Sequence, residues 1–520
     1  MATTMTGASN PNPSPLQQTL ASNYIDFTSG AGNDWGQQYL PDLMEKEAEI
    51  FGNRTVSGFL EMVGAEEPMS SDQVVWSEQG RLHLAFKGNV DFNASGNPDT
   101  FVFTIVQDID GNTLYGSTLA GVRKGDLVVM SNADTNVKGY VNAVATNTVG
   151  GQTVTQATGV LLNKTYTSGV GAVSMTDTGT ADLTTETHMF VYGSEYSKGT
   201  TGRTEALKPQ FKSYGNKPVI IKDMYEISGS DAAQIGWVEV SGEDGQNGYM
   251  WYLKSAGDTR SRFSDYCEMV LVEHELTDTD HTGAADQALT GYGSNTKIAG
   301  TEGLFAAIRS RGNVFNGLLD TAHGAGGANE WTSDHMLDDF DTILKQLDTQ
   351  GAIEEYMVFC NRDLSLAVDE MLAGQSAYGA GGTSYGVFDN SEDMALNLGF
   401  NGFRRGSYDF YKTDWKYLND KATRGGMLDV DNHIRGVLVP AGVTSVYDQT
   451  LGKNLKRPFL HVRYRASQME DRRFKTWTTG AVGAMTNDID AMRMNFLTER
   501  CLITQGANNF VLLEGEGDYS

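Results

Sequence analysis

Five residues late in the chain, Gly382, Thr383, Ser384, Tyr385 and Gly386, fit the G-x-S-x-G pattern. In that pattern a serine on a sharp strand-to-helix turn, beside backbone N–H donors, attacks an acyl carbon. The chemistry needs the turn. Here AYGAGG precedes the motif without strand alternation, and VFDNSED follows it without helical periodicity, so the stretch reads as a loop. Asp108-Ile109-Asp110-Gly111-Asn112 begins like a calcium loop, but the ligand spacing breaks after the second Asp and no Glu closes it. It reads as a β-turn built from Asp, Gly and Asn. His274 and His281 have no ligand-like partners at useful spacing. Cys267, Cys360 and Cys501 lie far apart, without disulfide or metal spacing, and are expected to be buried small hydrophobes in a reducing compartment. Asn53, Asn93 and Asn163 open sequons, which carry weight only in a secreted chain. No Walker loop, dinucleotide fingerprint or paired-cysteine zinc pattern occurs. The expectation is no catalytic residue, no cofactor and no metal.

One charge feature departs from its background. Lys453, Lys456, Arg457, Arg463, Arg465, Arg472, Arg473 and Lys475 face only Glu470 and Asp471 within their segment. Strand alternation in HVRYRA places Arg463 and Arg465 on one face with His461, opposite Leu460, Val462 and Tyr464. This strip is read either as a solvated face or as a surface meeting acidic groups of a neighbouring subunit, which would give orientation more than affinity. Contact with DNA is a weaker alternative.

The elements that would position these residues come from 520 residues, enough for about three domains. The net charge of -27 is the wrong sign for gripping nucleic-acid phosphates and implies repulsion between copies. No apolar run is long enough to cross a bilayer, and MATTMTGASNPNPSP lacks the look of a secretion signal. Residues 1–34 read as an extended arm, with a short helix from Pro41 to Phe51. Val74 and Trp76, then Leu82, Leu84 and Phe86, alternate about Glu78-Gln79-Gly80 and predict a β-hairpin. From 95 to about 200, Thr, Val and Gly dominate short β runs, predicting an inserted all-β unit. A long helix is expected from Tyr249 to Leu276, weakened at Gly257 and Asp258, and a second from Thr332 to Leu347, capped by Thr332 or Ser333. EYMVFCN follows as a buried strand and RDLSLAVDEMLAG as a helix ending at Gly374. The chain then returns to strands in IRGVLVPAG, PFLHVRYRA, FKTWTTG and NNFVLLEG.

The stretch YLPDLMEKEAEIFGNRTVSGFLEMVGAEEPMSSDQVVWSEQGRLHL resembles the N-terminal region of major capsid proteins of tailed bacteriophages (Caudoviricetes), particularly the crAss-like phages. KDMYEISGSDAAQIGWVEV and GTEGLFAAIRSRGN fit the same pattern, and the likeness covers most of the chain outside 95–200. It implies an α+β, Hong Kong 97-like fold with an inserted all-β domain. The parts would be an N-terminal arm (1–34), a short helix and first part of the extended loop (35–94), and the β insertion (95–200). The loop would return over 201–245, the spine helix would occupy 246–278, and peripheral and axial domains would fill 279–520. The resemblance further implies homo-hexamers and homo-pentamers of an icosahedral head, assembled in the host cytoplasm and expanding as double-stranded DNA enters. Portal, scaffolding and head-decoration proteins are the implied partners, with no membrane. An acidic container would not grip the DNA it holds. The competing readings are a secreted or surface β-rich lattice or adhesion protein, and a serine hydrolase using Ser384.

Overall fold

The computed structural model describes residues 58–60, 65–92, 99–116, 120–132, 136–162, 183–203, 211–233, 239–241, 247–277, 298–316, 333–377, 402–427, 433–441, 443–448, 453–482 and 485–515. The expected arm, the helix from Pro41 to Phe51, the Ser384 loop, His281 and the three sequon asparagines lie outside the described residues. The chain divides into two units, one taking in Met224–Arg262 and Thr478–Asn495, the other Val56–Asp223, Phe263–Trp477 and Phe496–Ser520.

In the larger unit, β1 (Ala65–Met69) and β2 (Val74–Gln79) come first. Next come β3 (Ala85–Phe92), β4 (Thr100–Asp108), β5 (Asp126–Ser131), β6 (Asn136–Val149), β7 (Gln152–Leu161) and β8 (Thr187–Ser194). These six strands close into a barrel of order β3-β4-β7-β6-β5-β8. Alternation builds it: Phe86, Val90, Phe101, Phe103, Ile105, Val128, Met130 and Met189 point inward and are buried. Closure leaves the barrel no free edge. After it, β9 (Phe211–Asn216) runs antiparallel to β2, from Val74 opposite Asn216 to Gln79 opposite Phe211. The barrel is therefore inserted between two strands of one ribbon. The hairpin expected over residues 74–86 does not form. β2 takes β9 as its partner, with Trp76 against Tyr214, while β3 pairs β4 and β8. The alternation was real, but two runs with a turn between them need not pair with each other.

β10 (Val219–Ser228) ends in the smaller unit, where α1 (Gly229–Ala233), the short pair β11 (Glu239–Ser241) and β12 (Asn247–Tyr249), and the start of α2 follow. α2 (Met250–Glu273) has 24 residues and passes through Gly257 without a break. Its later turns belong to the larger unit and bury Phe263, Cys267, Leu271 and Val272.

The rest of the larger unit is an α/β layer. α3 (Leu304–Arg311), β13 (Asn313–Phe315), α4 (Ser333–Gln350), β14 (Glu355–Cys360) and α5 (Arg362–Ala377) come first. β15 (Gly402–Arg405), β16 (Tyr408–Asp414), β17 (His433–Pro440), the ribbon of β18 (Val443–Asp448) and β19 (Lys453–Pro458), and β20 (Leu460–Arg465) follow. β21 (Lys475–Gly480), β22 (Ala491–Thr504) and β23 (Val511–Gly515) complete the chain. Six strands form a mixed sheet of order β13-β23-β17-β14-β16-β15. Phe340, Ile343 and Leu347 of α4 and Leu364 and Val368 of α5 cover one face, together with Leu438 and Leu513. Leu271, Leu304, Phe305 and Ile308 from α2 and α3 cover the other, together with Val437, Val439 and Leu512. Such burial of each large apolar side chain stabilises by roughly 1.5–3 kcal/mol. α5 runs past Gly374, where it was expected to stop; a helical Gly costs about 1 kcal/mol and does not by itself end a helix. The side chain of Ser333, expected as a cap of α4, lies outside the described residues.

Candidate assembly surface

β1 and β20 are parallel neighbours, with Ala65 opposite His461 and Met69 opposite Arg465, and β22 runs antiparallel on the other side of β20. This pairing brings the carboxylates of residues 66–72 against the basic strip. Arg463 Nη2 donates to Glu67 Oε2 at 3.0 Å. Arg465 binds Asp72 and reaches Glu499 Oε1 at 3.3 Å. Arg472 Nε lies 2.7 Å from Glu499 Oε2, and Lys475 Nζ donates to Glu470 Oε1 at 2.6 Å. Arg473 pairs with Glu66, joined there by Arg500 at 3.4 Å. The Lys475 ammonium holds the Glu470 carboxyl below its usual range. Lys453, Lys456 and Arg457 stand on β19, in the ribbon with β18, and their side chains lie outside the described residues. His461, expected beside the arginines, is buried. The strip thus carries an alternating ladder of both signs, of which Glu66, Glu67, Asp72 and Glu499 come from distant segments.

Glu66, Arg473 and Arg500 also line a cleft of about 510 Å³, with Ser264, Cys267 and Glu268 of α2 on its wall. Glu268 was missed in the sequence. Its Oε2 accepts from the backbone N–H of Gly58 at 2.7 Å, and its Oε1 from Phe59 at 2.6 Å and Leu60 at 3.2 Å. Burial pushes its pKa up against the pull of these donors, and the charge of Asp265 adds to the rise. Phe59 is thereby set against Phe359 and stacked on Trp415, with ring centroids 4.4 Å apart in the stacked pair. Nothing in the helix sequence marks Glu268, since Ser264 and Asp265 share its side and its backbone partners lie some 200 residues earlier.

The remaining sequence candidates resolve locally. Asp108 accepts from the backbone N–H of Asn112 at 2.8 Å and from its side-chain amide at 2.9 Å, while Gly111 takes φ 90°. That is turn chemistry. His274 Nδ1 lies 2.6 Å from the Glu275 carbonyl oxygen. Cys267, Cys360 and Cys501 are buried free thiols, and burial pushes them up to about 11, 12 and 12 respectively. Such thiols are protonated near neutral pH and poor nucleophiles. Among the described residues, no three His, Cys, Asp or Glu side chains are grouped where a metal ion could sit. No helix among the described residues is long and apolar enough to cross a membrane.

No protein-family profile matches the sequence, and no curated protein is similar to it. Solved structures of phage chains and of capsids are similar at low scores. One is a capsid chain of the native GTA particle, at TM-score 0.37 and 9% identity, covering 95% of this chain and 100% of that one. A chain of Microbacterium phage Oxtober96 gives TM-score 0.36 and 9% identity, over 91% and 96%. The capsid of Cyanophage P-SCSP1u gives TM-score 0.32 and 11% identity, over 62% and 80%. A likeness at such scores is an observation and carries no inference about function.

Proposed function

We propose that the chain is the major capsid protein of a tailed phage, a subunit that forms hexamers and pentamers of an icosahedral head around double-stranded DNA. The observation that carries this reading is the order of elements. A two-stranded ribbon, β2 with β9, is followed by the 24-residue helix α2 and then by an α/β layer. In this reading they correspond to the extended loop, spine helix and terminal domains that the sequence resemblance implies, with the barrel set into the loop. The Hong Kong 97-like arrangement and the crAss-like affinity belong to the same proposal. So do the virion location, assembly in the host cytoplasm, and portal, scaffolding and decoration proteins as partners.

In such a shell, heterologous contacts around each ring close by rotation. A ribbon of two strands is marginal alone, and this one is held within the chain by Val74 and Trp76, which pack with Tyr214 against Cys501 and Ile503. The ladder of Arg463, Arg465, Arg472, Arg473 and Lys475 supports a bracing role for β1, since its charges are matched within the chain. The proposed contact with an acidic neighbour falls to the remaining members of the strip, Lys453, Lys456 and Arg457, which stand on β19.

Negative-stain microscopy of the purified chain, alone and with the other head proteins, tests the reading. Rings or closed shells are expected, and a chain lacking residues 1–34 should stay folded yet assemble poorly. A monodisperse monomer under all conditions would end the proposal. Hydrolysis of acyl esters by the parent, lost in Ser384→Ala, would favour the enzyme reading instead.

A further inference from the structure

The outside of the barrel carries an apolar face that stays exposed among the described residues. Phe190 on β8 sits opposite Ala85 on β3 and Val129 on β5, and Val129 sits opposite Lys138 on β6. In the next row, Leu127 faces Tyr140, and Tyr140 faces Val160 on β7. Tyr192 follows Phe190 by two on the same strand and shares its side, while the Leu162 N–H donates to the Lys138 carbonyl at 3.1 Å. Directly paired residues project from one face of a sheet, so these rows form a continuous patch. Phe190, Tyr192, Val160 and Leu162 are 43–51% exposed, whereas their strand neighbours Val128, Met130 and Met189 fill the core.

A patch of this extent, rich in aromatics, marks an interaction surface more often than idle exterior. Its formal charges are also of one sign. Lys138 lies inside it, and Lys87 and His188 pair in the row beyond Phe190; no carboxylate occurs in these rows. The chain as a whole has 66 acidic against 39 basic residues. A face whose formal charges are those of Lys138 and Lys87 complements an acidic surface, and another copy of this chain is acidic, with a net charge of -27.

We propose that this barrel face docks onto a second copy of the chain, burying Phe190 and Tyr192 against an acidic surface of the neighbour. The proposal rests on the shell reading for its supply of copies, but on the patch for its location. General repulsion between acidic copies makes such a local complement valuable, because it selects one orientation of approach. The inserted barrel then braces subunits to each other.

Two measurements on the full chain test this. A photo-crosslinking amino acid in place of Tyr192 should, on irradiation of assembled particles, yield a covalent species of twice the chain mass. The double variant Phe190→Ser, Tyr192→Ser should melt as the parent does, since both side chains are half exposed, and lower the yield of particles by about tenfold or more. Crosslinks confined to one chain, crosslinks to a different protein, or unchanged particle yield would each overturn the proposal. If the parent makes no particles, the shell reading fails separately. Irradiation of the concentrated chain then decides the docking: a dimer band upholds it and its absence refutes it.

Discussion

Glu268 is a carboxylate withdrawn from water to hold three consecutive backbone N–H groups, those of Gly58, Phe59 and Leu60. Desolvation dominates its titration and raises its pKa above the ordinary glutamate value. A folded-state pKa above the unfolded one means that this contribution is fully present below the unfolded value and is lost as pH rises through the folded value. Glu268→Gln removes the titration and turns an amide donor toward another donor, so it should destabilise by about 1–3 kcal/mol. The gap between parent and variant should be narrower at a neutral pH than at an acidic one. Urea unfolding of both proteins at the two pH values measures it, and a gap that widens with pH would contradict the sign. Neither this site nor the partners of the arginine strip were legible in the sequence. The strip's residue types were plain, but Glu66 and Glu67 reach it only because β1 pairs in parallel with β20, some 400 residues away. Composition cannot carry a pairing of that separation.

At the scale of elements, legibility followed periodicity. α4 and β14 were expected within a few residues of where they lie, because Phe340, Ile343 and Leu347 keep the helical spacing and EYMVFC is a compact apolar run. β22 was missed: AMRMNFLTERCLIT puts Arg493, Glu499 and Arg500 into a strand, where they hold Glu226, Arg472 and Glu66. The β-rich character of the insertion was clear, but its closure was not, since closure depends on tight approaches that composition hides. A Cβ on Gly139 would sit 2.4 Å from the buried ring of Phe101, and one on Gly159 would sit 2.3 Å from the Tyr140 carbonyl oxygen. Phe101 therefore fills the barrel by lying over two bare backbones. Gly139→Ala should destabilise by about 1–3 kcal/mol, read as an earlier denaturant midpoint. Gly257, about a third of the way along α2, has no atom within 4 Å of where its Cβ would stand. Gly257→Ala should shift the midpoint the other way, by about 0.5–1 kcal/mol. Equal responses at the two glycines would refute this account of the packing.

At the scale of the molecule, the question is which force governs the meeting of copies. Each carries a net charge of -27, so neighbours repel through any gap that the ionic atmosphere fails to screen. The obvious source of counter-attraction, the basic strip, is matched by carboxylates of its own chain wherever its side chains are described. Screening should therefore remove more repulsion than attraction, while contacts made by apolar faces such as that of Phe190 and Tyr192 persist. Between about 0.01 M and 0.1 M salt the Debye length falls from roughly 30 to 10 Å, comparable with the spacing of charges on adjacent subunits. The lowest protein concentration that yields particles should fall across that range, as followed by light scattering and sedimentation. A threshold that rises with salt would mean that ion pairs between subunits lead, and would return Lys453, Lys456 and Arg457 to the centre of the assembly contact.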